Sequence, residues 1–132
     1  MNDHLGQQTL LELYACKHEL LNDQKFIEIT LVEAAVVAEA NIVKLYFHKF
    51  SPYGISGTLI ITESHINIHT WPEYNFAAID FFSCDPHMKI AAACTFLQSA
   101  FEAKDYSKHD HQRGAMKTIQ KLNELQTQNR HL

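Results

Sequence analysis

No stretch of the 132 residues reaches the roughly 18 consecutive apolar side chains that a membrane span requires. The N-terminus has no basic segment leading into an apolar core and a small-residue cleavage site, so no signal peptide is expected. Cysteine is scarce, and Cys16, Cys84 and Cys94 form an odd, widely spaced set. Such a set fits reduced thiols and a cytoplasmic setting; it fits neither a disulfide framework nor a zinc knuckle. Positive charge is also short: 11 Lys and Arg face 15 Asp and Glu, for a formal net charge of -4. That balance argues against a general nucleic-acid binder. No low-complexity linker divides the chain, and no internal repeat is evident. The remaining composition, 46% hydrophobic and 20% charged, is that of one soluble domain able to bury a core without staples.

Periodicity places the elements. Leu10 to Cys16 reads as a first strand. Asn22 and Asp23 offer an N-cap to a helix over 24–40, whose stripe is Ile27, Leu31, Ala34, Ala35 and Ala38. Residues 42–50 alternate Val43, Leu45 and Phe47 against Lys44, Tyr46 and His48, a strand with one wet face. Ser51 to Gly54 turn the chain, and 57–62 return as the second arm of a hairpin. A strand over 65–69 is broken by Trp71-Pro72-Glu73, and 76–83 form another strand, apolar at most positions. Asp85 as N-cap and Pro86 at the first helical position open a helix over 86–102, with Ile90, Cys94, Leu97 and Phe101 on its stripe. Residues 104–112 suit a polar edge strand ended by Arg113-Gly114. Met116, Ile119, Leu122 and Leu125 give the tail a narrow helical stripe, suited to lying on the domain or on a partner. The order predicts an α+β two-layer sandwich, a mostly antiparallel sheet with helices on one face.

Chemistry concentrates between Glu63 and Cys84, where a carboxylate, a hydroxyl, two imidazoles, a second carboxylate and a thiol lie between two core strands. Polar alternation in a strand is ordinary for a sheet face. His65 and His69 stand four apart, but Ile66 and Ile68 between them argue strand rather than zinc-binding helix, and no third ligand has a recognised spacing. No metal site is expected. A nucleophile with its base could be Cys84 with His69 or Ser64 with His65, and spacing alone does not choose between them. Strict alternation also sets Ser64 on the face of Ile66 and Ile68, opposite His69.

Glu63-Ser64-His65, then Ile68-His69-Thr70-Trp71-Pro72-Glu73, then Ala77-Ala78-Ile79-Asp80 with Cys84, resembles the short prokaryotic S-adenosylmethionine decarboxylase proenzymes, as does the upstream run Phe47 to Gly57. The similarity covers about residues 5–84 well and 85–114 more loosely. It implies self-cleavage between Glu63 and Ser64 that leaves a covalent pyruvoyl cofactor derived from Ser64. That group forms a Schiff base with the amine of S-adenosylmethionine and draws off electrons as carbon dioxide leaves, yielding the aminopropyl donor of spermidine and polyamine biosynthesis. By the same resemblance Ser56 and His69 assist processing, as hydrogen-bond donor and elimination base, and Cys84 returns a proton to the product. Phe50 stacks on adenine, Glu73 holds the ribose hydroxyls, and Trp71 lines the pocket. Residues 1–114 become the decarboxylase domain and 115–132 a C-terminal helical tail. Family members associate through their sheets, which implies at least a homodimer of cleaved protomers, with no nucleic-acid or membrane partner. The chain departs from relatives at Asp85-Pro86-His87-Met88 and in its tail. These departures leave two alternatives: the same scaffold acting on arginine or ornithine, and an uncleaved, non-catalytic relative that binds or regulates another protein.

Overall fold

Six strands and four helices make up the computed structural model, which describes residues 3–130. Met1, Asn2, His131 and Leu132, the outer ends of the expected domain and tail, lie outside the described residues. The elements are β1 (His4–Tyr14), α1 (His18–Leu21), α2 (Gln24–Val37), β2 (Ile42–Lys49), β3 (Ile55–Ile61), β4 (Ser64–Trp71), β5 (Phe76–Ser83), α3 (Ile90–Ala100), β6 (Asp105–Ala115) and α4 (Met116–Arg130). A 3-10 turn, Pro72–Tyr74, links β4 to β5. All strands join one antiparallel sheet in the order β2-β3-β4-β5-β1-β6. The expected two-layer architecture is therefore the observed one.

The period-2 pattern decides which face is covered. Leu11 and Leu13 of β1, Leu59 and Ile61 of β3, Ile66 and Ile68 of β4, and Ile79 and Phe81 of β5 are all buried. They meet the α2 stripe, where Ile27, Leu31, Ala34 and Ala35 are fully buried, and Ala93, Cys94 and Leu97 of α3. Asp23 caps α2 by accepting from the Phe26 N–H at 3.0 Å, as its position predicts. Among the described residues the opposite face of the sheet carries no helix. It presents Tyr14, Trp71, Phe76 and Phe82 among polar side chains such as His65, Asn67 and Asp80, and these are half-buried or exposed.

Several boundaries differ from expectation for local reasons. β1 begins at His4, because its first residues pair with β6, a partner invisible to local pattern. β5 alternates between half-buried and buried positions, since only one face meets helices. Asp85-Pro86 does not start α3. The Asp85 carboxylate accepts from the His87 N–H at 2.8 Å and forms a turn, and the helix begins at Ile90 without a side-chain cap. Gly114, at φ +72°, does not end β6, which continues to Ala115. The helix α4 follows directly; Met116 and Ile119 are half-buried and Leu122 and Leu125 are exposed, so its stripe is covered only near its start.

Candidate active site

The β3–β4 hairpin turn holds the first group of candidate residues. Ile61 pairs with Ser64, leaving Thr62 and Glu63 as a two-residue turn. Glu63 has φ +61°, a left-handed conformation that is strained for a side chain of its kind, at a cost on the order of 1 kcal/mol. Its carbonyl oxygen accepts a 3.2 Å hydrogen bond from the Cys84 backbone N–H. Ser64 lies opposite Ser83 across β4 and β5, and the Ser64 hydroxyl donates to Ser83 Oγ at 3.1 Å. The Cys84 thiol follows at the end of β5 and is free and exposed. A cleft of about 550 Å³ opens beside it, lined among others by Gly6, Thr9, Ile90, Lys108 and Asp110. The Asp110 carboxylate accepts from the buried Thr9 hydroxyl at 2.6 Å, and that bond, ahead of the nearby Lys108 charge, holds its carboxyl below the usual range. The other two thiols belong to the core: burial pushes Cys16 and Cys94 each up to about 11.

The second group sits at the other end of the sheet. Ser56 and His69 face each other across β3 and β4, with Ser56 Oγ 2.7 Å from His69 Nδ1. His48 pairs with Ser56 from β2, and two residues later Phe50 packs edge-on against His48 at 4.6 Å between ring centres. Trp71 lies 6.1 Å from the His69 ring and 5.6 Å from Phe76. Glu73, in the 3-10 turn, is exposed. Buried Thr70 secures this end by accepting from the Ile55 N–H at 2.9 Å and donating to the Leu21 carbonyl at 2.7 Å. Phe50 and Trp71 remain 49% and 39% exposed, so two large aromatic faces stand open, one beside the His48 imidazole and one beside that of His69.

The two groups are not brought together. Ser64 and His69 are separated by five residues of extended strand, about 17 Å at ~3.3 Å per residue, and they point to opposite faces of the sheet, as alternation requires. Ser64, Cys84 and the Glu63 carbonyl form one half-site. Ser56, His69, Phe50 and Trp71 form another, with Glu73 exposed in the turn that follows Trp71. Neither sequence pairing suggested for a nucleophile survives: Ser64 contacts Ser83, and the His65 imidazole is 3.3 Å from the Asp80 carboxylate, stacked on Phe82. Two contributors were not legible in the sequence, the Ser83 hydroxyl and the Cys84 N–H. Both are fixed by the β4–β5 register, which local pattern does not reveal. Among the described residues no cluster of three or more His, Cys, Asp or Glu could hold a metal, and no helix is long and apolar enough to cross a membrane.

A family model described as S-adenosylmethionine decarboxylase matches residues 7–114. The S-adenosylmethionine decarboxylase proenzyme of Clostridium kluyveri is 43% identical over 119 residues, covering 90% of this chain and 94% of its own. That of Moorella thermoacetica is 44% identical over 116 residues, covering 88% and 93%. The crystal structure of the adenosylmethionine decarboxylase from Aquifex aeolicus superposes with a TM-score of 0.78 at 29% identity, covering 86% of this chain and 93% of that one.

Proposed function

The chain belongs to the S-adenosylmethionine decarboxylase family, and we propose that it cuts itself between Glu63 and Ser64 and decarboxylates S-adenosylmethionine with the pyruvoyl group left at residue 64. The relatives described above carry that substrate in their names, which favours it over arginine or ornithine and over a non-catalytic role. The observation that carries the reading is the hairpin turn. A serine hydroxyl follows a residue held at φ +61°, and a backbone N–H already binds the carbonyl that the hydroxyl must attack. These groups suit formation of the cofactor from the chain itself.

The chemistry of maturation follows from the groups present. Ser64 Oγ adds to the Glu63 carbonyl carbon, the C–N bond breaks, and the proton ends on the Ser64 nitrogen, converting amide to ester. The Cys84 N–H is placed to stabilise the oxyanion that forms meanwhile. Loss of the Ser64 α-proton then expels the Glu63 carboxylate and leaves a dehydroalanine, which releases ammonia on hydrolysis. We assign the base to His69. With its proton on Nδ1, the imidazole donates to Ser56 Oγ, which leaves Nε2 free to take the α-proton and the Ser56 O–H free to donate to the oxyanion. Once formed, the pyruvoyl group supplies an electron sink for loss of carbon dioxide. Cys84 is the residue we assign to return a proton to the substrate carbon; its thiol is exposed at the same strand end. Phe50 and Trp71 offer aromatic faces to the adenine and sulfonium, and Glu73 offers a carboxylate to the ribose hydroxyls.

Because the half-sites lie at opposite ends of β4, we propose that two copies pair about a two-fold axis, each bringing its His69 end to the other's Ser64 end. The helix-free sheet face, with its Tyr14, Trp71 and Phe76 rings, supports pairing through the sheets. The same reading assigns residues 1–114 to the catalytic domain, leaves 115–132 outside it, and places the enzyme in the cytoplasm. The test is the intact mass of purified protein under denaturing conditions. Two chains are expected, split between Glu63 and Ser64, the second lighter than a serine start by the mass of one ammonia. A single 15.2 kDa chain would overturn the proposal.

A further inference from the structure

We propose that Ser83 is a positioning residue for self-cleavage: its hydroxyl fixes the Ser64 hydroxyl in the orientation from which Oγ attacks the Glu63 carbonyl. The inference rests on the self-cleavage reading and adds a residue to it. Ser83 is 4% exposed at the last position of β5, directly across from Ser64. A serine hydroxyl has one proton and two lone pairs. Here the proton is directed to the Asp85 carbonyl at 3.1 Å, one lone pair receives the Asp85 N–H at 3.0 Å, and the other receives the Ser64 O–H at 3.1 Å. With its own proton committed to the Asp85 carbonyl, Ser83 meets Ser64 as an acceptor. The Ser64 proton therefore points at Ser83, and the Ser64 lone pairs are turned away from it.

The next residue completes the arrangement. Cys84 N–H binds the oxygen of the carbonyl under attack. One turn, Ser83 to Asp85, thus holds both the nucleophile and the electrophile of the acyl shift, while Glu63 at φ +61° supplies a conformation that cleavage relaxes. Ser83 takes up no proton in the balance. The Oγ–C bond forms, the C–N bond breaks, and the Ser64 hydroxyl proton finishes on the Ser64 nitrogen. The role also ends with maturation, because the Ser64 hydroxyl is consumed.

The experiment follows chain cleavage over time after synthesis in a cell-free system, read by mass, for wild type, Ser83→Ala and Ser83→Thr. Thermal melting of each is recorded to show that it folds. Ser83→Ala is expected to cleave at least ~10-fold more slowly, and Ser83→Thr, which keeps the hydroxyl, to stay within about threefold of wild type. The loss should fall on the cleavage rate rather than on turnover per pyruvoyl-bearing chain, a split that a general weakening of the fold would not give. Cleavage of Ser83→Ala at the wild-type rate overturns the proposal. So does equal slowing of both variants, which would mark a steric role rather than the hydroxyl. Failure of wild type to cleave would instead remove the self-cleavage reading on which the proposal stands.

Discussion

Co-expression of two damaged chains tests the division of the site between copies. On the proposed roles, Ser64→Ala removes the cofactor precursor but keeps the Ser56, His69, Phe50 and Glu73 half. His69→Ala keeps Ser64 and Cys84 but lacks the base. Within one protomer the two positions are about 17 Å apart on opposite faces of β4, at ~3.3 Å per residue, far beyond the ~3 Å reach of proton transfer. If the halves meet across a two-fold axis, equal co-expression gives about one half mixed dimers. Each mixed dimer has one site with both halves intact and one with both damaged. Activity should therefore return to about one quarter of the wild-type level, from near zero for either variant alone. Cleavage should appear only in the His69→Ala chains, because those carry Ser64 opposite an intact His69. The assay is release of labelled carbon dioxide from S-adenosylmethionine, with masses of the two tagged chains read from the same preparation. No activity and no cleavage in the mixture would refute the trans arrangement and require a large rearrangement of β4 within one protomer.

Other expectations follow from named contacts. Thr70→Val should destabilise the fold by about 2–3 kcal/mol in chemical denaturation, because Ile55 N–H and the Leu21 carbonyl each lose a partner in a buried setting. Among the thiols, only Cys84 should react quickly with an alkylating reagent at pH 8 in the native state, with Cys16 and Cys94 labelled only on unfolding. The same two thiols predict alkaline instability. Their pKa rises from 9.0 to about 11 in the fold, so the stabilising difference is full below pH 9 and is lost as pH rises toward about 11, which melting curves across that range would reveal. Truncation after Ala115 should change stability by less than about 1 kcal/mol, since the apolar stripe of α4 is left open to solvent at Leu122 and Leu125. A larger loss on that truncation would mean that the helix is part of the domain's packing.

How much of this was legible in the sequence depends on the range of the forces involved. The α2 stripe and the Asp23 cap are local, and they appear where the residue pattern puts them. The limits of β5 were also readable, because Asn75 before it and the polar turn after it interrupt an apolar run. The misreadings share a physical cause. The strand character of the first six residues of β1 is not legible locally, because their partner, β6, lies about a hundred residues away. Asp85-Pro86 has the composition of a helix start, but Ser83 Oγ bonds both polar backbone groups of Asp85 and turns the chain first.

For the site, motif and geometry answer different questions. The run from Glu63 to Cys84 brings the reactive residue types close in sequence, and its resemblance to the family suggests the roles proposed for them. Extended backbone then carries those residues apart at over 3 Å per step and alternates their faces. Five residues suffice to put Ser64 beyond the reach of His69, so nearness in the sequence becomes distance in the fold. What lies near Ser64 comes from the neighbouring strand: Ser83 at its hydroxyl and Cys84 at the preceding carbonyl. Strand register therefore supports separate assignments for the two stages of maturation. The acyl shift can be prepared within one chain, by the 83–85 turn gripping the strained Glu63–Ser64 link. With His69 as the proposed base, elimination needs a group that this chain holds at its far end, and on the proposed pairing it awaits a second copy. Monomeric chain captured at high dilution should then accumulate the uncleaved amide or the ester but no pyruvoyl group. Hydroxylamine, which cleaves esters, would distinguish the two, and pyruvoyl formation at a rate independent of protein concentration would refute the order.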